Sequence, residues 1–401
     1  MNSLKDEVKV YDTFDNIADE GLSEDVLRGI YSMGFTEPSY IQQRGIVPIM
    51  KGRDVMGQAQ SGTGKTATFC IGALSRIDPE ILSPQVIILN HTRELAQQNC
   101  DVITQIGSYI TYRDGDGNQH EGIKTTLCIG GIDVGQNVAS LKQGCHCVVG
   151  TPGRVRDLAN RNALNLRDVR LIILDEADQM LSEEFQSQVY DIYKEMDKGV
   201  QFCIFSATYP TDIEELAGEI LNNPVRIMVP KEQLSLDGIH QYYVYVEDAR
   251  NKYSTLVDLF RVMPHSQTII YVGSKERCEE LVDHLRTDDN YPVAGIHSNM
   301  TQEVRSKILN DFKRGSDIRV LVSTDLLARG IDVQQISMVI NYDMTRNREN
   351  YLHRIGRSGR FGRQGVAINF VTKSDQRIMH DLETHYKINI EELPSDFQQR
   401  L

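Results

Sequence analysis

Ala59-Gln60-Ser61-Gly62-Thr63-Gly64-Lys65-Thr66 is the stretch whose reading decides the fold. Small residues in a tight turn let backbone N–H groups wrap a chain of phosphates. Lys65 then reaches the outer phosphates, and the Thr66 hydroxyl can ligand Mg²⁺. Ala59 stands where the pattern's first Gly would be. The run Asp54-Val55-Met56-Gly57 before it reads as a strand and residues 66–77 after it as a helix, so the anion would also sit at a positive helix end. Ser61, Gly62, Thr63, Gly64, Lys65 and Thr66 are therefore candidate triphosphate ligands on an α/β domain.

A second motif lies about a hundred residues on, at Asp175-Glu176-Ala177-Asp178. Leu171-Ile172-Ile173-Leu174 reads as a buried parallel strand that delivers Asp175 and Glu176 at its carboxyl end, the edge at which such sheets bind ligands. Asp175 can hold Mg²⁺, and Glu176 can position or deprotonate an attacking water. Phosphoryl transfer needs positioning and charge stabilisation and little else from the protein. Together the two motifs predict an ATPase.

The chain has 401 residues, of which 40% are hydrophobic, enough for more than one ordinary core. Its longest apolar runs are strand-sized, and Lys5, Asp6 and Glu7 leave no signal-peptide core at the start, so no membrane span and a cytoplasmic location are expected. Seven scattered cysteines argue for a reducing compartment rather than a disulfide framework. Cys145-His146-Cys147 has the wrong spacing for a zinc knuckle and leads into Val148-Val149, so a buried strand is expected there. A net charge of −13 excludes bulk attraction to nucleic acid but not local contacts. Arg346, Arg348, Arg354, Arg357, Arg360 and Arg363 concentrate positive charge near the carboxyl end.

Strand-like runs at 55, 86–89, 126–129, 147–149, 171–174 and 202–205 alternate with helical stretches and form one α/β set. Asn222-Asn223-Pro224 breaks the pattern, and the charged stretch 230–238 has little periodicity. A second α/β set follows at 268–272, 293–296, 320–323, 338–341 and 367–371, without a phosphate loop. The expected division is an ATP-binding domain over 1–228, a linker over 229–237 and a second domain over 238–401. An ATPase half followed by an arginine-bearing half suggests a cleft closed by ATP. Residues 111–122, with Asp114-Gly115 and Asp116-Gly117, read as a hairpin tip or mobile surface insertion.

These motifs, in this order from about Phe14 to Leu401, resemble the DEAD-box family of ATP-dependent RNA helicases. The resemblance implies two tandem RecA-like parallel-sheet domains joined by a flexible linker. Gly34-Phe35-Thr36-Glu37-Pro38-Ser39-Tyr40-Ile41-Gln42 resembles the family's adenine-reading segment. It implies that Phe35 stacks on the base and that the Gln42 amide pairs with its edge. Ser206-Ala207-Thr208 resembles the motif that bonds back to Asp178 and couples hydrolysis to domain movement. His353-Arg354-Ile355-Gly356-Arg357-Ser358-Gly359-Arg360 resembles the finger motif, with Arg357 and Arg360 reaching the γ-phosphate and His353 in the coupling set. Asp332 is implied at the ATP ribose.

By the same resemblance, RNA contacts fall on Thr92, Arg93, Gly131, Thr151, Gly153 and Arg154, and on Ser274, Arg305 and Thr324. Small, hydroxyl and arginine residues suit a sugar–phosphate backbone, so little sequence specificity is expected. Residues 326–335 and the tail 391–396 are most similar to the translation-initiation members, which implies a monomer working with a HEAT-repeat scaffold protein. An ATP-gated RNA clamp, like the helicase subunit of exon-junction complexes, shares every site above and stays open. A DNA translocase is disfavoured. The chain departs from the family pattern at Asn90-His91, where Ala-Pro is usual, at Glu184 for Gly, at Asn299 for Asp and at Met344-Thr345 for Leu-Pro.

Overall fold

Strands buried on both faces need unbroken Val, Ile and Leu runs, and Val-Ile-Ile-Leu at 86–89 and Leu-Ile-Ile-Leu at 171–174 are wholly buried strands. The computed structural model describes residues 9–60, 62–209, 211–228, 239–262, 267–315, 317–327, 336–358, 365–394 and 397. The chain divides into two compact units, Met1–Leu234 and Ser235–Leu401. The expected linker, Ser61, Asp332, Arg360 and Arg363 lie outside the described residues.

In the first unit the strands are β1 (Val55–Gln58), β2 (Val86–Leu89), β3 (Thr111–Arg113), β4 (Gln119–Glu121), β5 (Thr125–Cys128), β6 (Cys147–Gly150), β7 (Leu171–Asp175), β8 (Gln201–Ser206) and β9 (Val225–Met228). Seven of them form a sheet in the order β5-β6-β2-β7-β8-β1-β9, parallel at every pairing. The helices are α1 (Phe14–Ala18), α2 (Glu24–Ser32), α3 (Tyr40–Met50), α4 (Lys65–Leu74), α5 (Arg93–Ile106), α6 (Val134–Lys142), α7 (Pro152–Asn160), α8 (Ala177–Met180), α9 (Glu183–Lys194) and α10 (Thr211–Ile220). One core gathers α1–α5 over Val86, Ile88, Leu171 and Ile173, and the other packs α7–α10 on Ile87, Leu89, Ile172 and Leu174. Parallel strands need such covered faces. Gly57 sits where a Cβ would come within 2.5 Å of the Phe205 ring, so only glycine lets β1 and β8 close up there.

The second unit runs β10 (Ile239–Tyr245), α11 (Lys252–Val262), β11 (Gln267–Tyr271), α12 (Lys275–Thr287), β12 (Val293–Ile296), α13 (Gln302–Arg314), β13 (Val320–Ser323), β14 (Ile336–Asn341), α14 (Arg348–Ile355), β15 (Gly365–Val371), α15 (Gln376–Tyr386) and β16 (Glu391–Glu392). Its parallel sheet has the order β12-β13-β11-β14-β15-β10-β16. Sequence periodicity missed β9 and β10. Both are mostly half-exposed or exposed, with one buried residue in β9 and two in β10, so they lack the continuous buried apolar run that marks the central strands.

Residues 111–122 form an antiparallel hairpin, β3 with β4. Asp114 caps its turn by accepting from the Asp116 and Asn118 backbone N–H groups, and His120 beside it holds its carboxyl well below the usual range. Tyr112 is buried, stacked on His120 at 5.1 Å and edge-on to His146 at 4.7 Å. His146 takes no metal role: its Nδ1 accepts from Lys124 N and its Nε2 meets the Pro79 carbonyl. All seven cysteines are free and buried, and burial pushes each thiol up. No helix among the described residues is long and apolar enough to cross a membrane.

Candidate nucleotide and RNA sites

The loop after β1 turns through Gly62 (φ 83°) and Gly64 (φ 97°), left-handed positions that glycine takes without strain and that anion-binding nests use. A Cβ on Gly64 would lie 2.6 Å from Gln42 Nε2 and 2.9 Å from Ser39 Oγ. Gln42 is thereby held from two sides. Its Oε1 accepts from Ser39 N at 2.8 Å, closing the cap of α3, and its Nε2 donates to the Gly64 carbonyl at 3.4 Å. Phe35 is half-buried against the same core. Lys65 opens α4 with Thr66 beside it, and its ammonium is buried without a hydrogen-bond partner. A buried ammonium with no hydrogen bond, near the Asp175 carboxyl, has room for an anion. The nest and the lysine fit a triphosphate.

Asp175 ends β7 in register with Phe205 of β8, and Leu174 lies beside Leu89. Burial and the neighbouring Glu176 push its carboxyl up, while Lys65 and Asn99 oppose the shift. Asn99 Nδ2 donates to Asp175 Oδ2 at 2.9 Å, and Glu176 N to Asp175 Oδ1 at 3.0 Å. A buried carboxylate raised in this way suits a cation, and a carboxylate and a hydroxyl such as that of Thr66 are oxygen donors of the kind Mg²⁺ takes. Glu176 is buried with φ 52° and ψ 56°, a left-handed backbone unusual for a non-glycine residue and costing about 1–3 kcal/mol. Strain of this kind gathers where a side chain must be aimed.

The Ser206 and Thr208 hydroxyls both donate to Asp178, to Oδ1 at 2.8 Å and to Oδ2 at 3.3 Å, as the motif resemblance implied. Tyr209, which sequence reasoning passed over, donates near the Gly57 and Ile204 carbonyls at 3.2 and 3.0 Å, and Gln58 Nε2 donates to Ala207 O at 3.2 Å. The segment after β8 is thus pinned to the strand that carries the phosphate loop.

The RNA candidates share a structural reason. Thr92 caps α5, accepting from Leu95 N at 3.3 Å; Thr151 precedes α7, where Pro152 occupies the first turn; Ser274 caps α12, accepting from Arg277 N at 3.2 Å. Helix amino termini present N–H groups and positive partial charge, which suit phosphate. Gly153 lies in the first turn of α7, and Gly131 has φ 95°. Arg93 packs against Gly130, where a Cβ would come 2.8 Å from its guanidinium. Arg154 already donates to the Ile132 carbonyl and Asn137 Oδ1, and Arg305 is buried and donates to Gln302 Oε1. Thr324 follows β13, its carbonyl accepting from Ser323 Oγ.

In the second unit Arg354 is the anchor of the finger motif. It donates to Asp325, Asn341 Oδ1 and the Asp343 carbonyl and packs over the Tyr271 ring. Asn341 continues through Asn369 and Tyr351 to Gln241, a buried network that fixes α14 on the sheet. Arg357 Nε donates to the His353 carbonyl at 3.1 Å. Arg348 forks onto Asp381, so it is an ordinary surface pair. Lys252, another residue the motifs did not reveal, donates to Tyr342 O and Asp343 Oδ1.

The family DEAD/DEAH box helicase matches residues 39–216, and Helicase conserved C-terminal domain matches residues 251–362. The chain is 48% identical over 388 residues to eukaryotic initiation factor 4A-8 of Nicotiana tabacum, covering 97% of this chain and 90% of that protein. It is 46% identical over 391 residues to eukaryotic initiation factor 4A of Dictyostelium discoideum, covering 98% and 93%. Among solved structures, S. cerevisiae Dbp5 bound to RNA and ADP BeF3 aligns with TM-score 0.85 and 32% identity over 97% of each chain. Mss116p bound to ssRNA and AMP-PNP shares the fold at TM-score 0.84 and 24% identity, over 98% of this chain and 82% of that one. With the phosphate loop, the Asp175-Glu176 pair and the Asp178–Ser206 bond in place, the chain belongs to the DEAD-box RNA helicases, whose ATPase activity depends on RNA.

Proposed function

We propose that this protein spends ATP on clamping, bending and locally separating short RNA duplexes during translation initiation. The observation that carries the reading is the gathering of Lys65, Asp175 and Glu176 with the amino termini of α5 and α7 at the carboxyl edge of one sheet. Lys65 and the Gly62–Gly64 turn bind the phosphates, Phe35 and Gln42 select adenine, and Asp332 takes the ribose. Thr66 and Asp175 would hold Mg²⁺, which when bound neutralises phosphate charge. Glu176 orients the attacking water and accepts its proton. Arg357 and Arg360 supply positive charge to the transferring phosphoryl group, a contribution of about a thousandfold or more in related reactions.

Thr92, Arg93, Gly131, Thr151, Gly153, Arg154, Ser274, Arg305 and Thr324 bind the RNA backbone, so target choice falls to partners. Similarity to initiation factors supports the translation assignment; a cytoplasmic monomer working with a HEAT-repeat scaffold is part of the same proposal. The test is ATP hydrolysis and strand separation by the full chain with matched single-stranded RNA and DNA, together with co-purification from the source cell. Stimulation by RNA alone, with duplex separation and scaffold recovery, is expected. Equal stimulation by DNA would overturn the RNA assignment. Stable RNA retention without turnover would replace the helicase with the clamp.

A further inference from the structure

The carboxyl ends of β2 and β7 carry a buried amide layer that the shared motifs do not account for. Leu89 pairs with Leu174, so Asn90 continues β2 alongside Asp175, and its N–H still donates to the Gly150 carbonyl at 2.9 Å. Alternation sets both on the face of Val86, Ile88, Leu171 and Ile173, the face covered by α4 and α5. Asn99, on α5, meets Asp175 there. Both asparagines have no exposed surface. Neither side-chain polar atom of Asn90 has a partner, and neither does Asn99 Oδ1.

Burying amides at such positions is costly, and buried polar groups are nearly always used. An ionised carboxylate only accepts, so the face Asn99 turns to Asp175 must be its donor nitrogen. That single bond, 2.9 Å long, restrains Oδ2 while the Glu176 N–H restrains Oδ1. Asn99 also rides on the helix that Thr92 caps and Arg93 opens, and Asn90 stands just before them in the chain. Asn99 therefore shares a helix with the candidate RNA segment and touches the candidate metal ligand.

We propose that Asn99 is a positioning residue for the Asp175 carboxylate and, through the helix that Thr92 caps and Arg93 opens, links that segment to the Mg²⁺ site. The proposal rests on the reading of Asp175 as a metal ligand. A partner that orients a metal-binding carboxylate is worth about 10- to 100-fold in metal affinity or activity. Movement of the amino end of α5 on RNA would shift the donor and with it the carboxylate.

The experiment measures binding of a fluorescent ADP to the full chain with and without Mg²⁺, each with and without single-stranded RNA. It compares the wild type with Asn99→Leu, which is close in size and needs no partner, and with Asp175→Asn. Thermal unfolding identifies folded variants. In Asn99→Leu the tightening by Mg²⁺ falls by about tenfold or more, and affinity without Mg²⁺ stays within about twofold. The further tightening by RNA shrinks as well. A folded Asn99→Leu with wild-type Mg²⁺ tightening overturns the positioning role, and wild-type RNA tightening overturns the link. If Asn99→Leu does not fold, Asn99→Ala and Asn99→Ser take its place under the same readout. Wild-type Mg²⁺ tightening in Asp175→Asn would instead refute the metal-ligand reading itself, so the two failures are told apart.

Discussion

Ser206 Oγ donates to Asp178 Oδ1 at 2.8 Å, joining the strand beside the phosphate loop to the helix that follows Glu176. Both residues are buried, so the bond is not exchanged for one to water. Ser206→Ala leaves Asp178 one partner short and is expected to lower stability by about 1–3 kcal/mol. If the bond couples hydrolysis to movement, duplex separation falls more than RNA-stimulated ATPase does. Parallel loss of the two activities would show that the bond only holds the fold.

Lys65→Ala removes the cation that the phosphates need, and Glu176→Gln removes only the base. Nucleotide titration is expected to show binding lost in the first and kept in the second, with hydrolysis in the second down by about 10²- to 10⁴-fold. Glu176→Gly should also abolish hydrolysis. It relieves the left-handed backbone at φ 52°, so its melting temperature is expected not to fall below that of Glu176→Gln.

Gln42 shows why the choice of variant matters. Its Oε1 caps α3 through Ser39 N, so Gln42→Ala would damage the helix start along with the base site. Gln42→Glu keeps the acceptor and removes the donor. Competition binding is expected to show ATP losing its advantage over GTP, with stability lower by about 1–3 kcal/mol because the new buried oxygen faces the Gly64 carbonyl. An unchanged preference would contradict the adenine-reading role.

Lys252 is buried against Asp343, and removing one partner of such a pair costs about 3–5 kcal/mol. Lys252→Met is expected to lose that amount by denaturant unfolding of the full chain. Burial works to raise the Asp343 carboxyl, but Lys252, the Gly273 N–H and Arg277 together bring it below its ordinary value. Its contribution is therefore complete above the unfolded pKa of about 4 and is lost as pH falls through the lower folded value. The loss of stability on acidification through that window should be shallower in Lys252→Met.

The hairpin at 111–122 packs Tyr112 between two histidines but carries none of the candidate site residues. Replacing residues 111–122 by a short turn is expected to leave RNA-stimulated ATPase within a few-fold. It should lower stability by about 1–3 kcal/mol through loss of the buried ring. Loss of RNA binding in a folded deletion would place the hairpin on the RNA path.

The phosphate loop and the Asp175 motif were legible because local chemistry dictates them: a left-handed glycine turn before a helix, and acids at the end of an unbroken apolar run. The central strands were legible for the same reason. The strands β9 and β10 were not, because half-exposed strands without a continuous apolar run carry little local signal. Arg154 and Arg305 read as phosphate ligands by type, yet each spends hydrogen bonds inside its own unit. Lys252 and Tyr209 read as ordinary residues, and only folding gives them partners.

By itself the sequence determined the chemistry available: a cation for phosphates, two acids at one strand end, hydroxyls and glycines at helix starts. Those follow from contacts within a few residues, where the backbone geometry of a turn or a cap leaves little choice. Tertiary structure alone decided the strand order β2-β7-β8-β1, which sets Asn90, Asp175, Ser206 and the phosphate loop at one edge. It also decided which buried polar groups meet. Asn99 and Asp175 are 76 residues apart, and nothing in either local segment requires their bond. It exists because helix α5 packs across β5, β6 and β2 to bury its apolar face, and that packing carries the amide to the carboxylate.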